Sequence, residues 1–495
     1  MIAALLALAA MQCPDGTPPP CGRAGLRAPV ANSVAVLYFD NVSRDTADAY
    51  LADGLTDEII LRLQQVRRLE VKSRYESERV RGRRNAAPAV LGRELNARYL
   101  VNGSIQRAAE RLVVRVELTR ADRGVGVWSE RYDRTAANVL DVIDDVARGV
   151  ATGVAGQLLP DEAADLSRRP SADPLAYEHF VRGNFYLAQR SATGLLHAVQ
   201  EYELAWQRDS TLLRAPARVA YAYAIGASYG VGDLSPDSIM VLASRSVDRA
   251  LRLAPRLSDA WLARGFLRAV HSLRGSGDSM SDAVADLARA VELDPQSAEA
   301  HHQYAWGLAF TGRGSAAYGE YRRALELEPG RAVTYQEIAA LYEGQGRFPQ
   351  AIAWSDSAIS ADPGLVRGPL VRARARLALG DLDGAGADVA RVTPTAVGGN
   401  ADEVHEVEAM ILAARGDTVA ARAELARASG RLDLFLTEAL VATGQPEQAL
   451  AAIRAISSRT LRCVVLRLPA IAPLRGRADG ADLFGMSCPA PEIAP

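Results

Sequence analysis

The chain has 495 residues, of which 49% are hydrophobic and 23% charged, a composition typical of a folded chain with two or more domains. Its net charge of −2 excludes a protein drawn to nucleic acid or to an anionic membrane by overall charge. The aromatic content of 6% also disfavours base-stacking platforms, so we expect no nucleic-acid partner.

Residues 1–31 are predicted to form a leader and a Cys-Pro linker. Ile2–Met11 is an apolar run that is too short to span a bilayer. Its length fits the core of a signal peptide, but no Lys or Arg precedes it. A signal peptide, the last part of a transmembrane helix and a disordered leader all stay open, and the first two would tether or export the chain.

The four cysteines give information about the cellular compartment of the protein. Cys13 and Cys21 bracket a proline-rich loop that could close as a disulfide, and Cys463 and Cys488 lie near the other end. Four cysteines allow three connectivities, among which the sequence does not choose. None has the spacing of a metal site. This usage favours an extracytoplasmic protein of the cell envelope, and a cytoplasmic protein with free thiols is the alternative.

Residues 32–158 are predicted to form an α/β domain. An apolar run at 33–39 reads as a buried strand, and Leu55, Ile59 and Leu63 mark one face of the helix that follows. Alternating residues then predict a hairpin. The expected order is a strand at 33–39, a helix at 54–67, a strand at 69–73, a helix at 89–96, strands at 99–106, 112–119 and 125–132, and a helix at 138–158.

Four separated motifs in this domain resemble the TolB amino-terminal-like family: Ser33–Ser43, Tyr50–Glu58, Tyr99–Ser104 and Val127–Asp133. The resemblance implies a non-catalytic sensing or docking module. In relatives it precedes tetratricopeptide repeats and is fused behind a serine/threonine kinase, an adenylate cyclase or a winged-helix domain.

Two features inside the domain are candidates for a role. Gly54 of the family motif is expected to relieve a tight backbone turn. The arginine-rich stretch at 79–84 is either a solvated loop or a dock for an acidic partner or a phospholipid surface.

Proline recurs every 34 residues at Pro295, Pro329 and Pro363, a period that predicts repeated helix pairs. Alanines recur at the same interval where two helices of a pair would cross, at Ala283, Ala317, Ala351 and Ala385. Residues 258–363 resemble the tetratricopeptide repeat family. We therefore expect an all-α superhelix (an α-solenoid) of seven or eight pairs over 174–458, and a tail over 459–495.

The first helices of such repeats line a concave groove, where exposed aromatic and arginine side chains serve as interface anchors. In the repeat register, we predict that seven residues face a protein or peptide ligand: Leu262, Phe266, His302, Trp306, Gln336, Arg367 and Arg374.

The effector of the fused relatives is missing from the sequence. We find no phosphate-binding loop followed by Lys and Ser or Thr and no kinase motif. Gly312-Arg-Gly314 is half of a nucleotide fingerprint in a turn between helices. His301 and His302 point about 100° apart on a helix, so they cannot share a metal easily. We expect no catalytic residues, cofactor or metal.

The sequence thus predicts a non-enzymatic adaptor in envelope signalling that binds proteins through its repeat groove. One alternative is the detached sensory half of a kinase or cyclase. Another is an enzyme with an unrecognised site in the α/β domain, which would require convergent carboxylates or histidines.

Overall fold

The structure is a computed structural model that describes residues 30–43, 49–83, 86–108, 111–135, 139–166, 171, 173–189, 191–275, 277–396, 399–428, 434–488, 490 and 492–494. Residues 1–29 of the predicted leader, with Cys13 and Cys21 and the disulfide suggested for them, lie outside the described residues. The chain divides into two compact units. The first contains residues 24–267 and 328–330, and the second contains residues 268–327 and 331–495.

A mixed sheet opens the first unit. Its strands are β1 (Ser33–Val36), β2 (Asp40–Asn41), β3 (Glu70–Val71), β4 (Tyr99–Ala108), β5 (Arg111–Arg120) and β6 (Val125–Thr135). The order is β3-β1-β4-β5-β6, with β2 paired to β4. The short strands run parallel to their neighbours, whereas β4, β5 and β6 form an antiparallel meander. The predicted hairpin is present, and each of its strands is slightly longer than predicted.

The helices described around the sheet are α1 (Ala49–Gln64), α2 (Arg74–Arg79), α3 (Pro88–Glu94), α4 (Val139–Ala155) and α5 (Pro160–Leu166). Helix α4 packs on the sheet at two glycines. A Cβ on Gly149 would lie 2.6 Å from Trp128 Cζ2, and a Cβ on Gly153 would lie 2.7 Å from Leu118 Cδ2. Glycine at both positions therefore allows the close approach of helix and sheet.

The described residues then form eight successive helix pairs in chain order. Those that begin in the first unit are α6 (Pro174–Ala188) with α7 (Ala192–Arg208), α8 (Arg214–Tyr229) with α9 (Pro236–Leu253), and α10 (Ser258–Arg274) with α11 (Met280–Leu293), where α10 crosses the unit boundary. The others are α12 (Ala298–Phe310) with α13 (Gly314–Leu327), α14 (Ala332–Gly344) with α15 (Phe348–Ala361), α16 (Arg367–Ala378) with α17 (Leu382–Val392), α18 (Gly399–Ala414) with α19 (Thr418–Leu425), and α20 (Leu434–Ala442) with α21 (Pro446–Ala455).

The turn inside each of several pairs has the same construction. Gly312, Gly346 and Gly380 have φ of +82°, +73° and +83°, and they are spaced 34 residues apart. The next amide reaches back to the preceding helix, as in the bond from Arg313 N to Leu308 O at 3.0 Å. This is the Schellman ending of a helix, which needs a left-handed residue and so favours glycine. The predicted fold class, an α/β region followed by a solenoid of helix pairs, is confirmed.

The second unit ends in the C-terminal segment, residues 456–494. It contains α22 (Arg459–Val465), short 3₁₀ turns at Pro469–Leu474 and Ala478–Gly480, and α23 (Ala481–Phe484). A disulfide joins Cys463 to Cys488, a pairing that the sequence left open. Within the described residues, no helix combines the length and apolar character that a membrane span requires.

The repeated alanines lie where the repeat register places them, and Ala317 and Ala351 are fully buried. Replacing Ala317 by Leu is expected to separate α13 from its neighbours and to lower the free energy of unfolding by roughly 1–3 kcal/mol through overpacking. Urea denaturation of the full chain measures this change. Ser315→Leu, at an exposed position of the same helix, is the matched control, and equal losses for the two variants would contradict the crossing assignment.

Candidate partner-binding surfaces

The predicted groove of the second unit corresponds to the surface formed by the first helices α12, α14, α16, α18 and α20, which we call the first-helix surface. Three of the predicted ligand-facing residues on it, His302, Gln336 and Arg374, are buried. Their predicted exposure is therefore wrong. Each side chain forms hydrogen bonds or ion pairs with polar groups on its own first helix or on a neighbouring one.

His302 and Gln336 illustrate this burial. His302 Nδ1 lies 2.9 Å from Thr334 Oγ1 on the next first helix, and its ring centroid is 5.6 Å from that of Tyr321. Gln336 Nε2 donates to Glu337 Oε1 at 3.0 Å. These hydrogen bonds satisfy polar groups that would otherwise be costly to bury, so both residues help to pack the array.

Arg374 is held by an ionic network between three first helices and is 4% exposed. Its Nε lies 3.4 Å from Glu343 Oε1, and its Nη1 lies 2.5 Å from Glu403 Oε1. The guanidinium also stacks 3.9 Å from the centroid of the Phe435 ring. Burial acts to lower the pKa of Arg374, but Glu343, Glu403 and Glu438 outweigh it and raise that pKa. Arg374 is thus a cationic link inside the array.

Trp306 and Arg367 keep part of their surface in solvent. The Trp306 ring lies 4.8 Å from that of Phe310. Arg367 lies 3.6 Å from Glu337 Oε1 and 3.5 Å from Glu403 Oε2, with 37% of its side chain exposed. These two are the predicted anchors of the second unit that a partner could reach.

Leu262 and Phe266 belong to the first unit. Leu262 is buried, so its predicted exposure is also wrong, because burying the apolar side chain of α10 is favourable. Phe266 is partly buried, and its ring packs edge-on against Tyr221 with centroids 6.1 Å apart.

Several histidines connect the two helices of their own pair. His179 Nδ1 lies 2.7 Å from Glu201, His301 Nδ1 lies 2.5 Å from Glu320, and His405 Nδ1 lies 2.6 Å from Glu424. His301 and His302 thus have different partners. In the described part of the chain, no group of three or more His, Cys, Asp or Glu side chains is arranged to hold a metal ion.

The arginine-rich stretch at 79–84 is partly neutralised. Arg81 pairs with Asp53 and lies 3.3 Å from Glu78, and Arg83 pairs with Glu94. Burial raises the pKa of the Asp53 carboxyl, and the hydrogen bond from Arg81 opposes that rise. The described arginines of this stretch therefore offer an acidic partner less free charge than the sequence suggests.

The first unit also contains a polar cluster that was not predicted from the sequence. Tyr50 Oη donates to Glu178 Oε1 at 2.6 Å, and the same carboxylate accepts from Arg107 at 3.1 Å and from Arg182 at 2.9 Å. Burial, followed by the bond to Glu178, raises the pKa of Tyr50 to about 12. The cluster fastens α1 and β4 to α6, and only the presence of Tyr50 in a family motif hinted at it.

Gly54 has a different role from the predicted one. It lies inside α1, where a Cβ would be 2.0 Å from Val181 Cγ1 of α6. The glycine therefore serves a close helix–helix contact, and the expected tight turn at this position is wrong. Both Tyr50 and Gly54 join the sheet region to the first helix pair.

Part of the chain is similar to a curated protein of bacterial origin. The chain is 34% identical over 181 residues to "Putative adenylate cyclase 3" of Rhizobium meliloti (strain 1021). The match covers 37% of this chain and 30% of that protein, so the chain spans less than a third of the relative's length. No protein-family model matches the chain.

Solved structures with a similar arrangement include two tetratricopeptide-repeat proteins. One, from Thermus thermophilus, is 19% identical with a TM-score of 0.33, covering 41% of this chain and 98% of that one. Another, from Parabacteroides merdae, is 15% identical with a TM-score of 0.35, covering 54% and 97%. The chain itself has helix pairs whose glycine turns recur every 34 residues, in an α-solenoid that follows an α/β region.

Proposed function

We propose that this chain is a non-enzymatic adaptor of the cell envelope that binds a protein or peptide through its helix pairs. The observation that carries the proposal is the array itself, in which Trp306 and Arg367 keep exposed surface on the first-helix surface. Large aromatic and arginine side chains contribute most of the binding energy at protein interfaces. The α/β region would serve as a second docking module, as its resemblance to the TolB amino-terminal-like family implies.

The arrangement of charges supports binding in preference to catalysis. The buried carboxylates of Glu178 and Glu403 are each held by arginines, so their oxygens already have partners inside the protein. A general acid or base must instead reach a proton on a bound substrate. These groups are therefore better suited to stability than to proton transfer.

A second candidate is the sensory half of a larger signalling protein. The 34% identity to part of the rhizobial relative favours it, because that relative is named as a cyclase and is much longer than the match. In this version the partner is the catalytic domain of a cyclase or a kinase. Identification of the captured partner distinguishes the adaptor from the sensory half of a signalling protein.

Replacing Trp306 and Arg367 together by Ala is expected to weaken partner capture by about 2 kcal/mol or more. Arg374 is not used, because its burial makes it part of the fold. Quantitative affinity capture from membrane and soluble fractions measures the effect, with helical content checked by circular dichroism. Arg323→Ala, at a half-exposed position on the second helix α13, is the control. Unchanged capture, combined with loss of capture in Asp53→Ala or Arg81→Ala, would place recognition in the α/β region.

A further inference from the structure

Residues 492–494 lie against the turns of two successive helix pairs in the second unit. Glu492 N donates to Gly312 O at 2.6 Å, and Glu492 forms a parallel β-bridge with Arg313. An extended piece of chain is therefore bound along the first turn in the manner of an added strand.

The second turn supplies side chains that contact the backbone of the same residues. Gln345 Nε2 donates to Glu492 O at 3.3 Å, and Gln345 Oε1 accepts from Ala494 N at 3.1 Å. Arg347 donates to Ala494 O, and its guanidinium stacks 4.8 Å from the centroid of the Tyr342 ring. On the segment, these bonds involve backbone atoms only, so they do not depend on which side chains it carries.

Of the three side chains of the segment, only that of Ala494 is buried. Ala494 is 1% exposed and belongs to a core cluster that includes Tyr318 and Tyr342. Ile493 is 71% exposed. The site thus has room for a small residue at the position of Ala494 and accepts any residue at the position before it.

Gly314 is the residue that lets the segment approach. A Cβ at this position would lie 2.3 Å from Glu492 O and 2.7 Å from Gln345 Nε2. The corresponding position in the next two pairs holds Phe348 and Leu382, which do not allow such an approach. In the following turn, the position equivalent to Arg347 holds Asp381. A carboxylate cannot donate a hydrogen bond to a backbone carbonyl.

We propose that Gly312, Gly314, Gln345 and Arg347 form a peptide-binding site, the turn site, which residues 492–494 occupy in cis. Its ligand class is an extended peptide with a small side chain at the position of Ala494. The turn site adds a ligand class to the proposed function. It rests on that function only for the existence of a partner that supplies such a peptide in trans. A tethered segment has an effective concentration on the order of millimolar, so a peptide in trans binds strongly only after the cis segment has left.

Amide hydrogen exchange of the full chain tests the cis occupancy. The amides of Glu492 and Ala494 are expected to exchange at least tenfold more slowly in the parent than in Gly314→Ala, where the new methyl group excludes the segment. Gly319→Ala, whose Cβ would meet nothing within 4 Å, is the matched control and is expected to keep the parent's rates. Exchange of both amides at unprotected rates in the parent would overturn the proposal.

Fluorescence anisotropy tests the trans ligand, with a labelled synthetic peptide of residues 486–494 that carries Ser in place of Cys488. Ala494→Arg is expected to expel the cis segment and to bind this probe at least tenfold more tightly than the parent. The double variant Ala494→Arg with Gly314→Ala is expected to lose that binding. Equal binding by all three proteins would overturn the proposal. Neither the amide exchange nor the peptide binding involves Trp306 or Arg367. A failure of the proposed function in the partner-capture experiment can therefore be distinguished from a failure of the turn site.

Discussion

Replacing Arg374 by Met is expected to lower the free energy of unfolding by about 3–5 kcal/mol, because it removes the buried cation between the buried Glu343 and Glu403 carboxylates. Arg374 joins Glu343 of α14 to Glu403 of α18 and stacks on Phe435 of α20. Methionine fills much of the same volume but cannot neutralise either carboxylate. The loss of stability in Arg374→Met therefore measures the contribution of the charge of Arg374 and not that of its packing.

Urea denaturation followed by circular dichroism measures this loss on the full chain. The matched control is Arg323→Met, since Arg323 is 40% exposed in its side chain and pairs with Glu326 one turn away. Such exposed pairs contribute at most about 1 kcal/mol. If Arg374→Met were no less stable than Arg323→Met, the buried network would not hold the first helices together.

Replacing Ile471 by Ala is expected to lower the free energy of unfolding by about 2–5 kcal/mol, through lost burial and the cavity left behind. Ile471 is fully buried in the core cluster of the second unit. Its segment contacts α20, and the neighbouring α22 contacts both α12 and α20. In a simple solenoid each repeat contacts only its neighbours, so this segment adds contacts between pairs that are distant in the chain.

Ile493→Ala is the matched control for Ile471→Ala, because the same side chain is removed from an exposed position. Its effect is expected to stay within about 0.5 kcal/mol. Thermal and urea unfolding of the full chain measure both variants. Equal stability of the two would show that the C-terminal segment is not part of the folded core.

The sequence predicted the helix pairs well because their signal is local and repeated. The prolines at 34-residue intervals mark helix ends, because proline cannot continue a helix beyond its first turn. Ala317 and Ala351 at crossing positions indicate the same register. The sheet was predicted for a similar reason, since the alternation through Val114, Val116 and Leu118 continues over a whole strand and these residues are buried.

The surface residues were predicted less well because burial depends on contacts from distant parts of the chain. Repeat register places Arg374 on a first helix, but it does not show that Glu343 and Glu403 enclose it. The segment at 459–495 carried no repeat signal and was predicted only as a tail, although Ile471 lies in the core. The turn site joins Gln345 to Ala494, a pairing across 149 residues that no local pattern indicates.

Site-specific photo-crosslinking in the native host shows directly whether partner proteins bind through the repeats. A photoreactive phenylalanine derivative replaces one residue at a time, and covalent adducts with partner proteins are identified by mass spectrometry. Adducts are expected from position 306 on the first-helix surface and none from position 323 on the second helix α13. Adducts from positions 53 or 81 of the α/β region, with none from position 306, would contradict binding through the repeats.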